Sequence, residues 1–213
     1  MVLWYCRRMD TLGILFGSLA RVKLMRHFLM NPDKRFTVKE LSIRSKISLS
    51  TLRKELNQFK KAGLIKDTTV TVVNSRGTSK KVKGVTLNAS FPHSQSLADL
   101  ILENSTLNRN ALVKKLKQTG KLKLLVLSGI LTGTSDSRLD VLIVGKDIEP
   151  KKVDRALREV EAEIGRELAY AVFDTDDFIY RMNMYDKLIA DVLDYPHERL
   201  IDVLPISTRR SIN

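Results

Sequence analysis

The strongest constraint on how this chain folds is a change of hydrophobic period at Gly63. Before it, Leu52, Leu56 and Phe59 recur at helical spacing and predict an amphipathic helix over residues 50–62. After it, Leu64 and Ile65 open an extended run whose β-branched centre is residues 68–73. Glycine suits that junction because it adopts the left-handed backbone that ends a helix. A helix delivered into a strand with so short a join leaves few arrangements for the elements around it.

Upstream, Leu19, Val22, Leu24, Met25, Phe28 and Leu29 form a second helical stripe over residues 18–30, with Ser18 as N-cap and Asn31-Pro32-Asp33 as the stop. Thr37 and Glu40 stand in capping-box spacing and predict a short helix after them. A turn through Lys46-Ile47-Ser48 separates it from the helix that ends at Gly63. Downstream, a polar, glycine-containing loop over residues 74–84 is expected, then a second strand over 85–87. Helix, helix, helix and hairpin is the order of a winged helix.

Charge separates the chain into two parts. The formal net charge is +13, and residues 1–92 hold 19 Lys/Arg against 5 Asp/Glu. Residues 93–213 hold 18 against 19, so the surplus lies wholly in the first part. Such self-repulsion points to a polyanionic partner, nucleic acid or an anionic membrane. The apolar stretches 11–20 and 124–131 fall short of the roughly 18–20 residues that span a bilayer, which argues against membrane. Arg7-Arg8 before the first stretch faintly resembles a signal peptide, but Asp10 interrupts it. Cys6 is the single cysteine, and no cysteine–histidine cluster suggests zinc, so a reducing cytoplasm is expected, with no metal or cofactor. Met9 is the more natural start, because Trp4, Tyr5 and Cys6 have no evident place in the fold.

The segment from Lys46 through Ile65, KISLSTLRKELNQFKKAGLI, resembles the recognition helix of bacterial and archaeal winged-helix repressors of the arsenical-resistance type. Those share a small-polar start, an apolar stripe and Ala-Gly-Leu-Ile/Val leading into the wing. The resemblance implies a transcriptional regulator that binds double-stranded DNA, nucleoid-associated in a prokaryotic cytoplasm. A homodimer is expected because recognition-helix modules reach useful affinity by pairing half-sites about one helical turn apart. The residues agree with the resemblance. With Leu52, Leu56 and Phe59 inward, Ser50, Arg53, Lys54, Asn57 and Lys61 face outward, with Thr51 at the helix entry. Arg53 and Asn57 suit guanine and adenine edges. Lys54 and Lys61 suit phosphates, and Ser48, Ser50 and Thr51 lie at a helix N-terminus where phosphate binds readily. In the wing, Arg76, Lys80, Lys81 and Lys83 form an acid-free run expected at the hairpin tip.

Residues 91–120 read as a helical connector with pieces at 97–102 and 111–116. Beyond it, strand candidates at 122–127, 139–144 and 167–173 alternate with helices at 151–165 and 176–193. The expected class is therefore α+β: a winged helix over residues 9–90, the connector, and a small α/β domain over 121–213. Leu127-Ser128-Gly129, Thr134-Ser135-Asp136 and Arg138-Leu139-Asp140-Val141 resemble the core of the minimal nucleotidyltransferases of the DNA polymerase β superfamily. The resemblance implies a Gly-Ser turn for the triphosphate and three metal-binding acids. Here Ile130 takes the serine position, Arg138 the first acid's, and Ala169, Tyr170 and Ala171 the third strand, leaving Asp140 alone. Without its cations, phosphoryl transfer loses its main source of stabilisation, so a non-catalytic sensor or assembly domain is expected. Arg138 either pairs with Asp140 as a fixed cation or stands exposed in solvent. Weak nucleotide binding through the turn from Gly129 to Thr134 is compatible with this.

Other candidates are poorer. Gly17-Ser18 imitates a nucleotidyltransferase turn, but no acidic pair follows it, and a helix cap explains Ser18. Asp136, Asp174, Asp176 and Asp177 offer an alternative acidic site, but Asp176-Asp177 are better read as the start of the last helix, where acids complement the dipole. His27, His93 and His197 are scattered. An active nucleotidyltransferase steered to nucleic acid and a protein-binding adaptor remain the alternatives. The missing acids weigh against the first, and the segregated charge against the second.

Overall fold

The computed structural model describes residues 11–73, 77–103, 107–134 and 137–204. The first eight residues, Met9, Arg76, Ser135 and Asp136 lie outside the described residues. The chain is a mixed α+β protein with two small sheets, and no described helix is long and apolar enough to cross a membrane. It divides into two compact units, residues 1–106 with 161–166, and 107–160 with 167–213.

In the first unit the order is α1 (Thr11–Leu15), α2 (Leu19–Leu29), β1 (Phe36–Thr37), α3 (Val38–Ser45), α4 (Leu49–Lys61), β2 (Ile65–Val73), β3 (Ser79–Leu87) and α5 (Ser94–Glu103). Three helices start on hydroxyl caps. Ser18 accepts from the Arg21 N–H at 3.2 Å, Thr37 from Glu40 at 3.1 Å, and Ser48 from Thr51 at 3.3 Å. Each cap satisfies one N–H that a helix start leaves without an intrahelical partner. Gly63 sits at φ +77°, the left-handed conformation that turns α4 into β2.

The core of this unit gathers Val22, Leu24, Phe28, Phe36, Leu41, Leu52, Leu56 and Phe59. Phe28 stands edge-on to Phe36 at 5.9 Å and to Phe59 at 6.3 Å, joining α2, β1 and α4 through one fully buried ring. Truncating such a ring to alanine costs about 3–5 kcal/mol. The sheet order is β1-β3-β2, all antiparallel.

The hairpin differs from its sequence expectation. The second strand is not three residues after a long loop; β3 begins at Ser79 and pairs with β2 along its whole length. Its first half, Ser-Lys-Lys-Val-Lys, carries no apolar alternation, and its conformation comes from ladder bonds to a partner rich in β-branched residues.

The second unit holds α6 (Arg109–Leu116), β4 (Lys121–Leu127), β5 (Val141–Lys146), α7 (Pro150–Ile164, its last residues counted with the first unit), β6 (Tyr170–Asp174), α8 (Thr175–Asn183), α9 (Lys187–Asp194) and β7 (Glu198–Asp202). Strand order is β6-β5-β4-β7. Strand β4 runs antiparallel to β5 and β7, while β5 and β6 are parallel with α7 between them in sequence. Leu124–Leu127 and Val141–Val144 are buried without alternation, as expected of central strands covered on both faces. Leu124, Val126, Leu142 and Val144 join Phe178 of α8 and Ile189 and Val192 of α9 in one core.

Two expectations are corrected here. The single last helix over 176–193 is two helices, because Tyr185 takes φ +56° and Asp186 caps α9 by accepting from Leu188 at 2.8 Å. Strand β7 was not anticipated; its sequence, ERLID, is short and lacks a clear period. Residues of the expected connector are divided, with α5 in the first unit and α6 in the second.

Candidate nucleic-acid interface

Strand and helix geometry place most of the predicted contact residues on two adjoining surfaces. On α4, Ser50, Lys54, Asn57 and Lys61 are exposed and fall in a line opposite buried Leu52, Leu56 and Phe59. Thr51 and Arg53 are exposed beside that line. So is Gln58, an amide the sequence reasoning passed over although helical spacing sets it between Lys54 and Lys61. At the helix start Ser48 is occupied as the cap, and its hydroxyl also meets those of Ser50 at 3.0 Å and Thr51 at 2.9 Å.

The one acid on α4 does not weaken this basic face. Glu55 is buried on the opposite side and accepts from Arg21 Nε at 2.8 Å. Arg21 also donates to the Phe16 carbonyl at 2.8 Å, so the pair ties α2 to α4.

The hairpin sorts its lysines by register. Cross-strand partners share a face, and Lys83 lies opposite Thr69 and Lys81 opposite Thr71. The same face carries Asp67, whose carboxylate is held by Lys60 of α4 at 2.5 Å. Lys81 and Lys83 therefore occupy the hairpin face that α4 joins. Lys80, opposite Val72, is exposed on the other face. All three lysines sit on β3 rather than at a loop tip, a correction that follows from the longer strand. Arg76 lies outside the described residues.

In the second unit, the residues expected at a degenerate nucleotide site form a closed bracket. Gly129 follows β4 at φ +57°, and a Cβ there would collide with Asp140 Oδ1. Asp140 is buried and accepts from the Ile130 N–H at 3.0 Å and the Ala169 N–H at 2.8 Å, one on each oxygen. Arg138 does not pair with Asp140. It is half-exposed and bonds Asp191 of α9 at 2.9 Å. Thr134 closes the turn onto the Gly129 carbonyl through its N–H at 2.9 Å. Among the described residues, no group of three or more His, Cys, Asp or Glu side chains is arranged to hold a metal.

The remaining candidates take structural places. Asp174 caps α8 by accepting from Asp176, and Asp177 bonds Arg181 at 3.0 Å. His93 packs edge-on against Phe91, and His197 bonds the Tyr195 carbonyl. His27 is buried in the first unit, where its Nδ1–H donates to the Gly165 carbonyl at 3.0 Å and Nε2 has no partner among the described residues. Burial pushes its pKa from 6.5 down to about 4.

Compared with known proteins, the chain matches no family model, no curated protein and no solved structure.

Proposed function

We propose that this chain is a sequence-specific transcriptional regulator that binds duplex DNA through its first unit. The observation that carries this reading is the pairing of two exposed basic surfaces, the outer face of α4 and the Lys81–Lys83 face of the hairpin. The one acid on that hairpin face, Asp67, is already held by Lys60. Read as a winged helix, the unit sends α4 into the major groove and lays the hairpin along the backbone. Arg53 and Asn57 then read base edges, while Lys54, Lys61, Lys81, Lys83 and the hydroxyls of Ser50 and Thr51 hold phosphates.

The second unit serves this regulator as a sensor or assembly domain of degenerate nucleotidyltransferase type. Support comes from the antiparallel-then-parallel order of β4, β5 and β6, and from the engagement of Asp140 by two backbone N–H groups. A carboxylate used in this way has little capacity left for a cation. The working form is a homodimer on an inverted repeat, with half-sites about one helical turn, roughly 10 base pairs, apart.

The test is duplex binding by the full chain across a salt series. With about six phosphates neutralised by the first unit, that unit alone should contribute a slope of about −5 to the fall of log affinity against log salt. Affinity that ignores salt, or no affinity for any duplex, would overturn the reading. Sedimentation with one protein per footprint would remove the dimer.

A further inference from the structure

Near-neutrality over residues 93–213 conceals a second concentration of charge. From residue 104 to 135 the sequence carries Arg109, Lys114, Lys115, Lys117, Lys121 and Lys123 and no acid. Arg109 bonds Glu198 at 2.6 Å and Lys115 bonds Glu159. The others lead toward one end of the second sheet. There Lys121 and Lys146 are direct partners across the β4–β5 ladder, like charges face to face in a position that weakens a sheet. Strand β5 leads into α7, whose first turn contains Lys151 and Lys152 and no acid, although a helix N-terminus disfavours cations. The Glu149 N–H donates to the Thr119 carbonyl at 2.8 Å, holding the turn that carries Lys117 beside the start of α7.

Six exposed lysines, 117, 121, 123, 146, 151 and 152, thus gather at one end of one unit. Asp147 pairs with Lys121 at 3.6 Å and Glu149 with Lys152 at 2.6 Å. Among the described residues, no carboxylate lies within ion-pair distance of Lys117, Lys123, Lys146 or Lys151. Two electrostatically unfavourable placements, one in a ladder and one at a helix start, converge on the same surface. An anionic partner would offset both.

We infer that this end of the β4–β5 sheet is a second nucleic-acid contact, which grips the phosphate backbone of duplex DNA without reading its sequence. The choice of duplex DNA as the occupant rests on the reading of α4 and the hairpin given above. The lack of sequence reading follows from side-chain chemistry. The cluster is all lysine, a point charge that holds a phosphate but lacks the fork of arginine or the paired groups of an amide. No aromatic side chain lies among the six to stack an unpaired base.

The experiment compares three full-length proteins on a random-sequence duplex and on the best selected duplex over a salt series. They are the wild type, the fourfold variant Lys117→Gln/Lys123→Gln/Lys146→Gln/Lys151→Gln, and Arg53→Ala/Asn57→Ala. The fourfold variant should show a salt slope shallower by about 3.6, because each lost phosphate contact removes about 0.9. Its preference for the selected over the random duplex should stay within twofold of wild type. Its melting temperature should not fall, since repulsion is relieved. Should it nevertheless fail to fold, Lys123→Gln/Lys146→Gln alone should give about half the slope change. An unchanged slope, or binding of the wild type to phosphatidylserine vesicles that the lysine variant loses while duplex binding stays intact, overturns the inference. Loss of preference in Arg53→Ala/Asn57→Ala beside an unchanged lysine variant leaves the reading of α4 standing and removes only this one. The reverse pattern, preference intact in the α4 variant and slope reduced in the lysine variant, keeps the second contact and overturns the first.

Discussion

The carboxylate of Asp140 accepts the backbone N–H of Ala169 at 2.8 Å, and in return the Asp140 N–H donates to the Ala169 carbonyl at 2.7 Å. Residues far apart in sequence are thereby locked together where β5 and β6 begin. The other carboxylate oxygen holds the turn at Ile130, so one buried side chain fixes three separate segments of the second unit.

Replacing Asp140 by alanine should therefore act on stability. Two backbone N–H groups would lose a charged acceptor, at about 1–3 kcal/mol each. Urea unfolding should show a loss of about 2–5 kcal/mol, with duplex preference unchanged at temperatures where the variant stays folded. Label moved from a nucleoside triphosphate by the wild type with magnesium, and abolished in Asp140→Ala, would instead make Asp140 a catalytic residue.

Substitutions on the two basic surfaces should separate reading from holding. Arg53→Ala and Asn57→Ala are each expected to cost about 1–3 kcal/mol on the preferred duplex and much less on random sequence. Lys81→Ala with Lys83→Ala should weaken all duplexes alike and flatten the salt slope by about 2. Lys80→Ala, on the opposite face of the hairpin, should do less than either. Equal losses from all three lysines would show that the hairpin lies differently on DNA.

The ion pair between Arg21 and Glu55 links α2 to the buried side of α4. Glu55→Ala should lower stability by about 1–3 kcal/mol, less than for a fully buried pair because Arg21 stays partly in solvent. Denaturant unfolding reads that loss directly. The double variant Arg21→Met/Glu55→Leu should recover much of it, since apolar groups of similar volume leave no buried charge unpaired.

His27 gives the first unit a pH dependence with a defined sign. Its folded pKa of about 4 lies below the ordinary 6.5, so the unfolded chain binds the proton more readily. Its contribution is complete above pH 6.5 and is lost as pH falls from 6.5 toward 4. The loss should reach on the order of 3 kcal/mol below that window. His27→Asn removes the titration, and the difference in unfolding free energy between wild type and variant, followed from pH 7.5 to 4, isolates it. A difference that does not change with pH would place His27 in a more solvated setting than the one described.

Wherever one segment could settle its own conformation, the sequence was readable. Ser18, Thr37 and Ser48 cap their helices through hydroxyls within three residues of their acceptor N–H groups, and Gly63 ends α4 through its own backbone freedom. The outer line of α4 followed from helical spacing alone. Long-range pairing decided the rest. Ser79–Lys83 carry no strand pattern and are extended because β2 offers them a ladder; ERLID becomes β7 because β4 has an edge to fill. The face on which each hairpin lysine sits depends on register, where a slip of one residue exchanges the two sides. Glu55 and Asp140 are the clearest cases. In sequence both are acids among polar neighbours, and only the partners that tertiary folding brings to them, Arg21 in one case and two backbone N–H groups in the other, turn them into buried supports.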